Sequence, residues 1–270
     1  MENYKNYITD TDIEKISEII KTAGKKLLCR GSIETSAKEG LANYVTDRDL
    51  ETQNFLVENL KKIIPAADFL AEESDDNCGT HEGLTFVIDP IDGTANFIRD
   101  LHNSAISVGL YSGSTGIFGL VYQPYNDRLF SGILGQGSYL NGSRISVSER
   151  ALDKSIVGLG TSPYYREELG KKTGEIIGRL LEDAEEVRRF GSAAQDLCLV
   201  AAGMLDCFFE LRLSPWDFAA GTVIIKEAGG IITDLNGNTP CPYEKSPIIC
   251  GSGANYRELL SICRDACLKS

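Results

Sequence analysis

The chain has 270 residues, of which 42% are hydrophobic and 24% are charged, and its formal net charge is -12. This length permits one large domain or two moderate ones, and the composition is that of an ordinary globular protein. The negative charge argues against the basic surface of a nucleic-acid binder and favours divalent cations as partners.

The sequence carries no segment that predicts export or membrane insertion. Residues 1–5 are polar and lack the apolar core of a secretion signal. No run approaches the ~20 apolar residues of a membrane-spanning helix. The eight cysteines form no Cys-x-x-Cys pair, and reduced, packed thiols are their expected state. We therefore expect a cytoplasmic protein with neither a membrane nor a nucleic acid as its partner.

The first half of the chain predicts two helices followed by a sheet. Apolar residues at helical spacing predict the first helix over residues 12–29, with Thr11 and Glu14 as its capping box. Thr46 and Asp49 form a second capping box at the start of the next helix. The remainder of this half consists of short apolar runs separated by turn residues, which is typical of an antiparallel sheet.

The second half alternates strands with helices, a pattern that is typical of a mixed α/β layer. We place the boundary near residue 145, so that residues 1–145 and 146–270 form the two parts. The expected fold class is α/β (α+β), with an antiparallel sheet in the N-terminal half and a mixed sheet in the C-terminal half.

One acidic stretch stands out, Phe86-Val87-Ile88-Asp89-Pro90-Ile91-Asp92-Gly93-Thr94. An apolar run precedes Asp89, a turn is expected at Pro90, and the small residues Gly93 and Thr94 follow Asp92. Two carboxylates beside exposed backbone N–H groups suit a hard cation together with an anion. By itself, the stretch is equally compatible with an acidic surface turn that caps a helix.

Other carboxylates occupy comparable positions, at the ends of apolar strands or the starts of helices: Glu72, Glu73 and Glu210, and Asp49 and Asp217. Loops at strand ends converge in α/β folds, so these side chains are expected to meet. Taken singly, Asp49, Glu73 and Asp217 also suit helix caps or solvated helix ends.

The chain resembles the inositol monophosphatase family of metal-dependent, lithium-sensitive phosphatases. Three motifs carry the likeness, in order: Ala71-Glu72-Glu73-Ser74, Asp89-Pro90-Ile91-Asp92-Gly93-Thr94, and Trp216-Asp217-Phe218-Ala219-Ala220-Gly221 followed by Glu227-Ala228-Gly229-Gly230. Weaker matches are Val45-Thr46 with Asp49, and Gly191-Ser192-Ala193-Ala194. The resemblance implies a layered α-β-α-β-α sandwich of the sugar-phosphatase type, a homodimer, and Mg²⁺ as the cofactor.

The resemblance implies two or three Mg²⁺ ions, held by the hard oxygen ligands that Mg²⁺ prefers. Glu72, Asp89 and the backbone carbonyl of Ile91 would hold the first ion. Asp89 would bridge to the second ion, which Asp92 and Asp217 would complete. A third, weaker site would use Glu72 and waters.

The same likeness implies attack of a metal-activated water on phosphorus, in line and without a phospho-enzyme. Thr94, backed by Asp49, would orient the water together with Glu72, and the water would lose its proton there. The backbone N–H groups of Gly93 and Thr94 would bind the phosphate oxygens.

Substrate recognition is expected to involve both halves of the chain. Glu210 matches the family glutamate that binds inositol hydroxyls, and Gly191 begins the segment on the sugar side of the pocket. Lys38 matches a family lysine that would reach over the metals, although a solvated surface lysine is an equally good interpretation. With Glu73, it is a candidate loop contact. The full set of expected substrate contacts is Asp92, Gly93, Thr94, Gly191, Ser192, Ala193, Glu210 and Asp217.

The leading hypothesis is a Mg²⁺-dependent phosphomonoesterase that hydrolyses inositol monophosphate, a small phosphorylated polyol. Related families handle fructose 1,6-bisphosphate, histidinol phosphate or 3′-phosphoadenosine nucleotides. The nucleotide is less favoured, because those relatives usually carry Lys-Glu where this chain has Ala95-Asn96.

An aspartyl-phosphate enzyme needs Asp-x-Asp spacing, whereas Asp89 and Asp92 are three apart. A catalytically inactive metal-binding scaffold is the alternative from another class, and the filled ligand positions argue against it.

Overall fold

A computed structural model of the protein describes residues 3–29, 35–37, 44–74 and 81–268. Across these ranges, no helix is both long and apolar enough to cross a membrane. The helices and strands follow in the order α1 (Asp10–Leu28), β1 (Thr35–Ala37), β2 (Tyr44–Thr46), α2 (Asp47–Ile63), β3 (Asp68–Ala71), β4 (Leu84–Asp92), α3 (Thr94–Ile98), β5 (Ala105–Ser112), β6 (Thr115–Gln123), β7 (Arg128–Ile133), β8 (Gly137–Leu140), β9 (Ser143–Ile145), β10 (Ile156–Leu159), α4 (Arg166–Asp183), β11 (Glu186–Arg188), α5 (Ala193–Ala201), β12 (Cys207–Leu213), α6 (Pro215–Glu227), β13 (Ile231–Thr233), β14 (Ser246–Gly251) and α7 (Gly253–Leu268).

Capping boxes begin the first two long helices. The box predicted for α2 is confirmed, because the Asp49 carboxylate accepts a hydrogen bond from the Thr46 N–H at 2.7 Å. The box predicted for α1 is wrong: Thr9 and Asp12 form it instead. Thr11 already lies inside the helix, where its side chain cannot satisfy the first N–H groups.

The first sheet has seven strands, β3 to β9, which lie side by side in chain order. The predicted antiparallel sheet is present, with one parallel pair, β3 and β4, at its edge. Two parallel neighbours end at the same edge of a sheet. This pair therefore delivers the residues that follow both strands to one place.

The second sheet has five strands in the order β11-β10-β12-β14-β13. The first three strands run parallel to one another, and the remaining neighbours pair antiparallel. The prediction of a mixed sheet in the C-terminal half is confirmed.

Helices and sheets alternate in five layers. Helices α1 and α2 cover the first sheet, α5 and α6 lie between the sheets, and α4 and α7 cover the outer face of the second sheet. The α-β-α-β-α arrangement is therefore confirmed. A Cβ on Gly119 of β6 would lie 2.2 Å from the Ala220 carbonyl oxygen, so small residues on both sides allow α6 to lie directly on the first sheet.

The two sheets correspond to the two halves that the sequence suggests. Strand β9 ends at Ile145, the predicted boundary. Helices α5 and α6 come from the second half, yet they pack on strands of the first sheet. The division into 1–145 and 146–270 stays a prediction about chain organisation.

Candidate active site

The central acidic stretch forms the end of β4, where the pairing with β5 is irregular. Asp89 pairs with Ser107 and Asp92 pairs with Ala105. The segment of β4 between these pairs is therefore one residue longer than that of β5, which is a β-bulge. Residues three apart on a regular strand point to opposite faces, and one extra residue reverses this relation. Pro90 lies in this bulge, where its missing N–H is tolerated. The bulge thus allows Asp89 and Asp92 to share one side of the sheet.

Glu72 reaches the same place through the parallel pair. Ala71, the last residue of β3, lies opposite Ile88, and the Glu72 N–H donates to the Ile88 carbonyl oxygen at 3.2 Å. Glu72 therefore lies beside Asp89, and its charge contributes to raising the pKa of Asp89. An antiparallel β3 would have placed Glu72 at the far edge.

Asp217 comes from the second half of the chain. It lies in the first turn of α6, where its carboxylate accepts a hydrogen bond from the Ser214 N–H at 2.7 Å. One carboxylate oxygen each from Asp89, Asp92 and Asp217 lie within 4.8 Å of one another. Asp217 can cap α6 with one carboxylate oxygen and direct the other toward Asp89 and Asp92, because a carboxylate has two acceptor oxygens. We call these three residues the acidic cluster.

Burial and mutual repulsion dominate the electrostatics of the acidic cluster. Burial, followed by neighbouring carboxylates, raises the pKa of Asp89 and that of Asp217 well above the usual range. Burial also raises the pKa of Asp92 to about 6, against hydrogen bonds that favour its charged form. Hard oxygen donors that repel one another fit a divalent cation, which would offset their charge.

Helix α5 holds Asp92 in place. Its Oδ2 atom accepts hydrogen bonds from the Ser192 hydroxyl at 2.6 Å and from the Ala194 N–H at 2.7 Å. Asp92 thus joins β4 to the start of α5 through its Oδ2 atom. Ser192, predicted as a substrate contact, positions Asp92 through its hydroxyl.

Thr94 links the cluster to α2. Its hydroxyl oxygen lies 3.3 Å from Asp49 Oδ1 and 3.0 Å from the Ile91 carbonyl oxygen. Asp49 is fully buried and caps α2 with its other carboxylate oxygen. Gly93 precedes Thr94 with φ of 86°, a left-handed conformation in which a Cβ would also lie 2.9 Å from the Asn103 carbonyl oxygen.

A cavity of about 480 Å³ joins these groups. Of the predicted site residues, it is lined by Glu72, Asp89, Ile91, Asp92, Gly93, Thr94, Gly191, Ser192, Ala193, Glu210 and Asp217. Asp49 lies behind Thr94, outside the lining. The Glu73 N–H donates to the Gln53 side chain at 2.8 Å, and Glu73 does not line the cavity. Lys38 lies outside the described residues.

Glu210 lines the cavity, but not at the end of a strand as the sequence suggested. Strand β12 continues to Leu213, and its pairing with β14 shifts after Glu210. Glu210 Oε1 accepts a hydrogen bond from the Ser162 N–H at 2.7 Å, and burial raises the pKa of Glu210 to about 7. A Cβ on Gly160 would lie 1.8 Å from Glu210 Oε2, so only glycine leaves room for this carboxylate.

Two residues that shape the site, Ser162 in the cavity lining and Asn96 behind it, escaped sequence reasoning. Ser162, which holds Glu210, has φ of 40° before Pro163, and only the turn composition of this segment hinted at it. Asn96 donates to the carbonyl oxygens of Phe190 and Gly191 at 2.8 and 3.2 Å, which ties α3 to the segment before α5. These contacts span about a hundred residues, and no local pattern encodes them.

The Glu227-Ala228-Gly229-Gly230 motif lies away from the cavity. Glu227 accepts hydrogen bonds from the N–H groups of Gly135 and Gly137, both at 2.9 Å. It thereby fastens the hairpin between β7 and β8 to the end of α6. Glu227 therefore holds α6 against the first sheet.

The family assignment follows from comparison with known proteins. A model of the inositol monophosphatase family matches residues 7–267. The chain belongs to the inositol monophosphatase family. Membership supports a metal-dependent phosphatase, and the acidic cluster agrees with it.

The chain is similar to named relatives and to solved structures over most of its length. It is 30% identical over 254 residues to the inositol-1-monophosphatase of Bacillus subtilis, covering 92% of this chain and 95% of the relative. It is 39% identical over 207 residues to Nus factor SuhB of Salmonella typhimurium, covering 76% and 77%. The solved structure of Thermotoga maritima IMPase superposes with a TM-score of 0.86 at 30% identity, covering 97% and 99%.

Proposed function

We propose that the protein is a Mg²⁺-dependent phosphomonoesterase that hydrolyses inositol monophosphate to inositol and phosphate. The observation that carries the proposal is the convergence of Asp89, Asp92 and Asp217, with oxygens within 4.8 Å, in one cavity with Glu72 and Glu210. Hard carboxylate oxygens suit Mg²⁺, and the buried Glu210 suits the hydroxyls of a polyol. The name of the Bacillus subtilis relative supports the inositol substrate.

The acidic cluster, Glu72 and the Ile91 carbonyl are the proposed metal ligands. Mg²⁺ bound there would lower the pKa of a water molecule and neutralise charge on the departing ester oxygen. We propose that Thr94 donates its hydroxyl hydrogen to Asp49, so that the Thr94 hydroxyl oxygen accepts a hydrogen bond from the attacking water. Glu72, at the same edge of the sheet, would accept the proton of that water.

The remaining residues hold the substrate. The first N–H groups of a helix have no partner within it, so those at Gly93 and Thr94 are proposed to meet the phosphate oxygens. Glu210, fixed by Ser162, is proposed to accept hydrogen bonds from hydroxyls of the alcohol part. A homodimer belongs to the proposal and is tested by light scattering.

A substrate with a second anionic group is the next candidate, and one observation favours it. Arg189, Arg212 and Lys245 line the same cavity, although the protein is strongly acidic overall. Arg212 pairs with Glu168 at 2.9 Å, and Lys245 donates to the Tyr165 hydroxyl at 2.7 Å. These cations suit a bisphosphate such as fructose 1,6-bisphosphate.

Phosphate release from a panel of esters, measured during a Mg²⁺ titration, tests the proposal. The panel contains inositol 1-phosphate, fructose 1,6-bisphosphate, histidinol phosphate, a 3′-phosphoadenosine nucleotide and p-nitrophenyl phosphate. We expect Mg²⁺-dependent release with preference for the inositol ester. Equal turnover of all esters would reject the inositol assignment. No release from any ester at saturating Mg²⁺ would favour the inactive scaffold.

A further inference from the structure

Asp196 is a buried acidic residue that the proposed mechanism does not use. It lies in the first turn of α5 and lines the candidate cavity, and its side chain is only 1% exposed. Its Oδ1 atom is buried without a hydrogen-bond partner among the described residues. A buried carboxyl group with an unpaired oxygen destabilises a fold unless a ligand pairs with it.

The position of Asp196 in its own helix does not explain its burial. A carboxylate in the first turn of a helix commonly accepts hydrogen bonds from the first N–H groups. At the start of α5, the Ala194 N–H and the hydroxyl of the preceding Ser192 donate hydrogen bonds to Asp92 instead. Asp92 thus caps the start of α5, and Asp196 lies in the lining of the cavity.

The neighbours of Asp196 belong to the part of the cavity that contains Glu210. The negative charges of Asp92 and Glu210 repel that of Asp196, and the exposed Arg189 contributes an attractive positive charge. Glu210 differs from Asp196 in being anchored, through Ser162, by a hydrogen bond of 2.7 Å. Asp196 and Glu210 line the same cavity, and two acidic acceptors on one lining are complementary to hydroxyl groups of a single alcohol.

We propose that Asp196 is a specificity-determining residue, whose carboxyl group accepts a hydrogen bond from a second hydroxyl of the polyol beside the one that Glu210 binds. This inference rests on the proposed phosphatase function and deepens it. The preferred substrate class is then a phosphorylated polyol with adjacent hydroxyls, and an ester without them loses both contacts.

The test compares two substrates in wild-type protein, Asp196→Ala and Asp196→Asn at saturating Mg²⁺. The ratio of kcat/KM for inositol 1-phosphate to that for p-nitrophenyl phosphate, which has no hydroxyl, isolates the contact. We expect the ratio to fall by about tenfold or more in Asp196→Ala, because the acceptor for the second hydroxyl is removed. The fall should be smaller in Asp196→Asn, since the amide keeps one acceptor oxygen.

Asp206→Asn is the matched control. Asp206 is also 1% exposed, but it accepts hydrogen bonds from Arg150 at 2.9 Å and from the Ile156 N–H at 2.7 Å, outside the cavity. Its replacement should lower the melting temperature and leave the substrate ratio unchanged. Asp196→Asn should lower the substrate ratio and leave the melting temperature unchanged or higher, because no described residue donates a hydrogen bond to Asp196 Oδ1.

Each outcome bears on the inference. An unchanged ratio in both Asp196 variants, with normal hydrolysis of both esters, would overturn it while the phosphatase proposal stands. A large loss of melting temperature in Asp196→Asn would also overturn it, since that result indicates a structural role. If the wild-type protein hydrolyses neither ester, the proposed function fails first and this inference fails with it.

Discussion

Replacing Asp92 by asparagine tests the electrostatic account of the site. The change removes one negative charge from the acidic cluster and preserves the shape of the side chain. An amide oxygen can still accept the hydrogen bonds from the Ser192 hydroxyl and the Ala194 N–H. Packing and anchoring therefore persist, and the charge is the main difference.

The magnitude follows from the pKa of Asp92, which is raised from 3.8 to about 6. A raised carboxyl pKa means that the folded state binds the proton more tightly than the unfolded state. The associated stability is present at low pH and is lost as pH rises through about 6. A shift of about two units corresponds to about 3 kcal/mol. Metal-free Asp92→Asn should therefore be more stable than wild type at high pH, by up to that amount.

Thermal melts in EDTA measure this effect directly. At about pH 8 we expect the melting temperature of Asp92→Asn to exceed that of wild type by several degrees, and the difference should shrink toward about pH 4. Phosphate release with Mg²⁺ should fall by more than about a hundredfold, because a ligand itself is altered. A variant that melts lower than wild type at high pH would refute the electrostatic reasoning. Retained activity would refute the assignment of Asp92 as a ligand.

Other changes test further parts of the site. Gly160→Ala places a methyl group where the Glu210 carboxylate lies, so hydrolysis of inositol 1-phosphate should fall more than that of p-nitrophenyl phosphate; equal losses would contradict this. Thr94→Val should abolish most phosphate release and Thr94→Ser should restore it, whereas full activity of the valine variant would exclude the hydroxyl from the reaction. Wild-type protein in EDTA should become less stable between about pH 5 and about pH 8, and Mg²⁺ should reduce this slope. A flat melting profile in EDTA would mean that the carboxylates do not repel one another in the folded protein.

Of the two capping boxes predicted from the sequence, the one for α2 is confirmed, and the one for α1 lies two residues earlier than predicted. The Thr46–Asp49 capping box predicted the start of α2, because both partners lie within one helical turn. The expectation for Glu210 failed in part, because a charged residue after three apolar ones resembles a strand end, yet β12 continues to Leu213. What sustains the strand there is the pairing of Leu213 with Ser246 of β14, which lies far along the chain.

The sequence by itself determined the helix and strand pattern and the motifs of the site, since both are properties of short segments. The layered sandwich followed only from the resemblance to the family that those motifs carry. The tertiary structure decided how those residues meet. The bulge at Pro90 allows Asp89 and Asp92 to share one side, and the parallel pairing of β3 with β4 places Glu72 beside them. Strand register and sheet direction depend on distant partners, so the geometry of the acidic cluster emerges only in the folded chain.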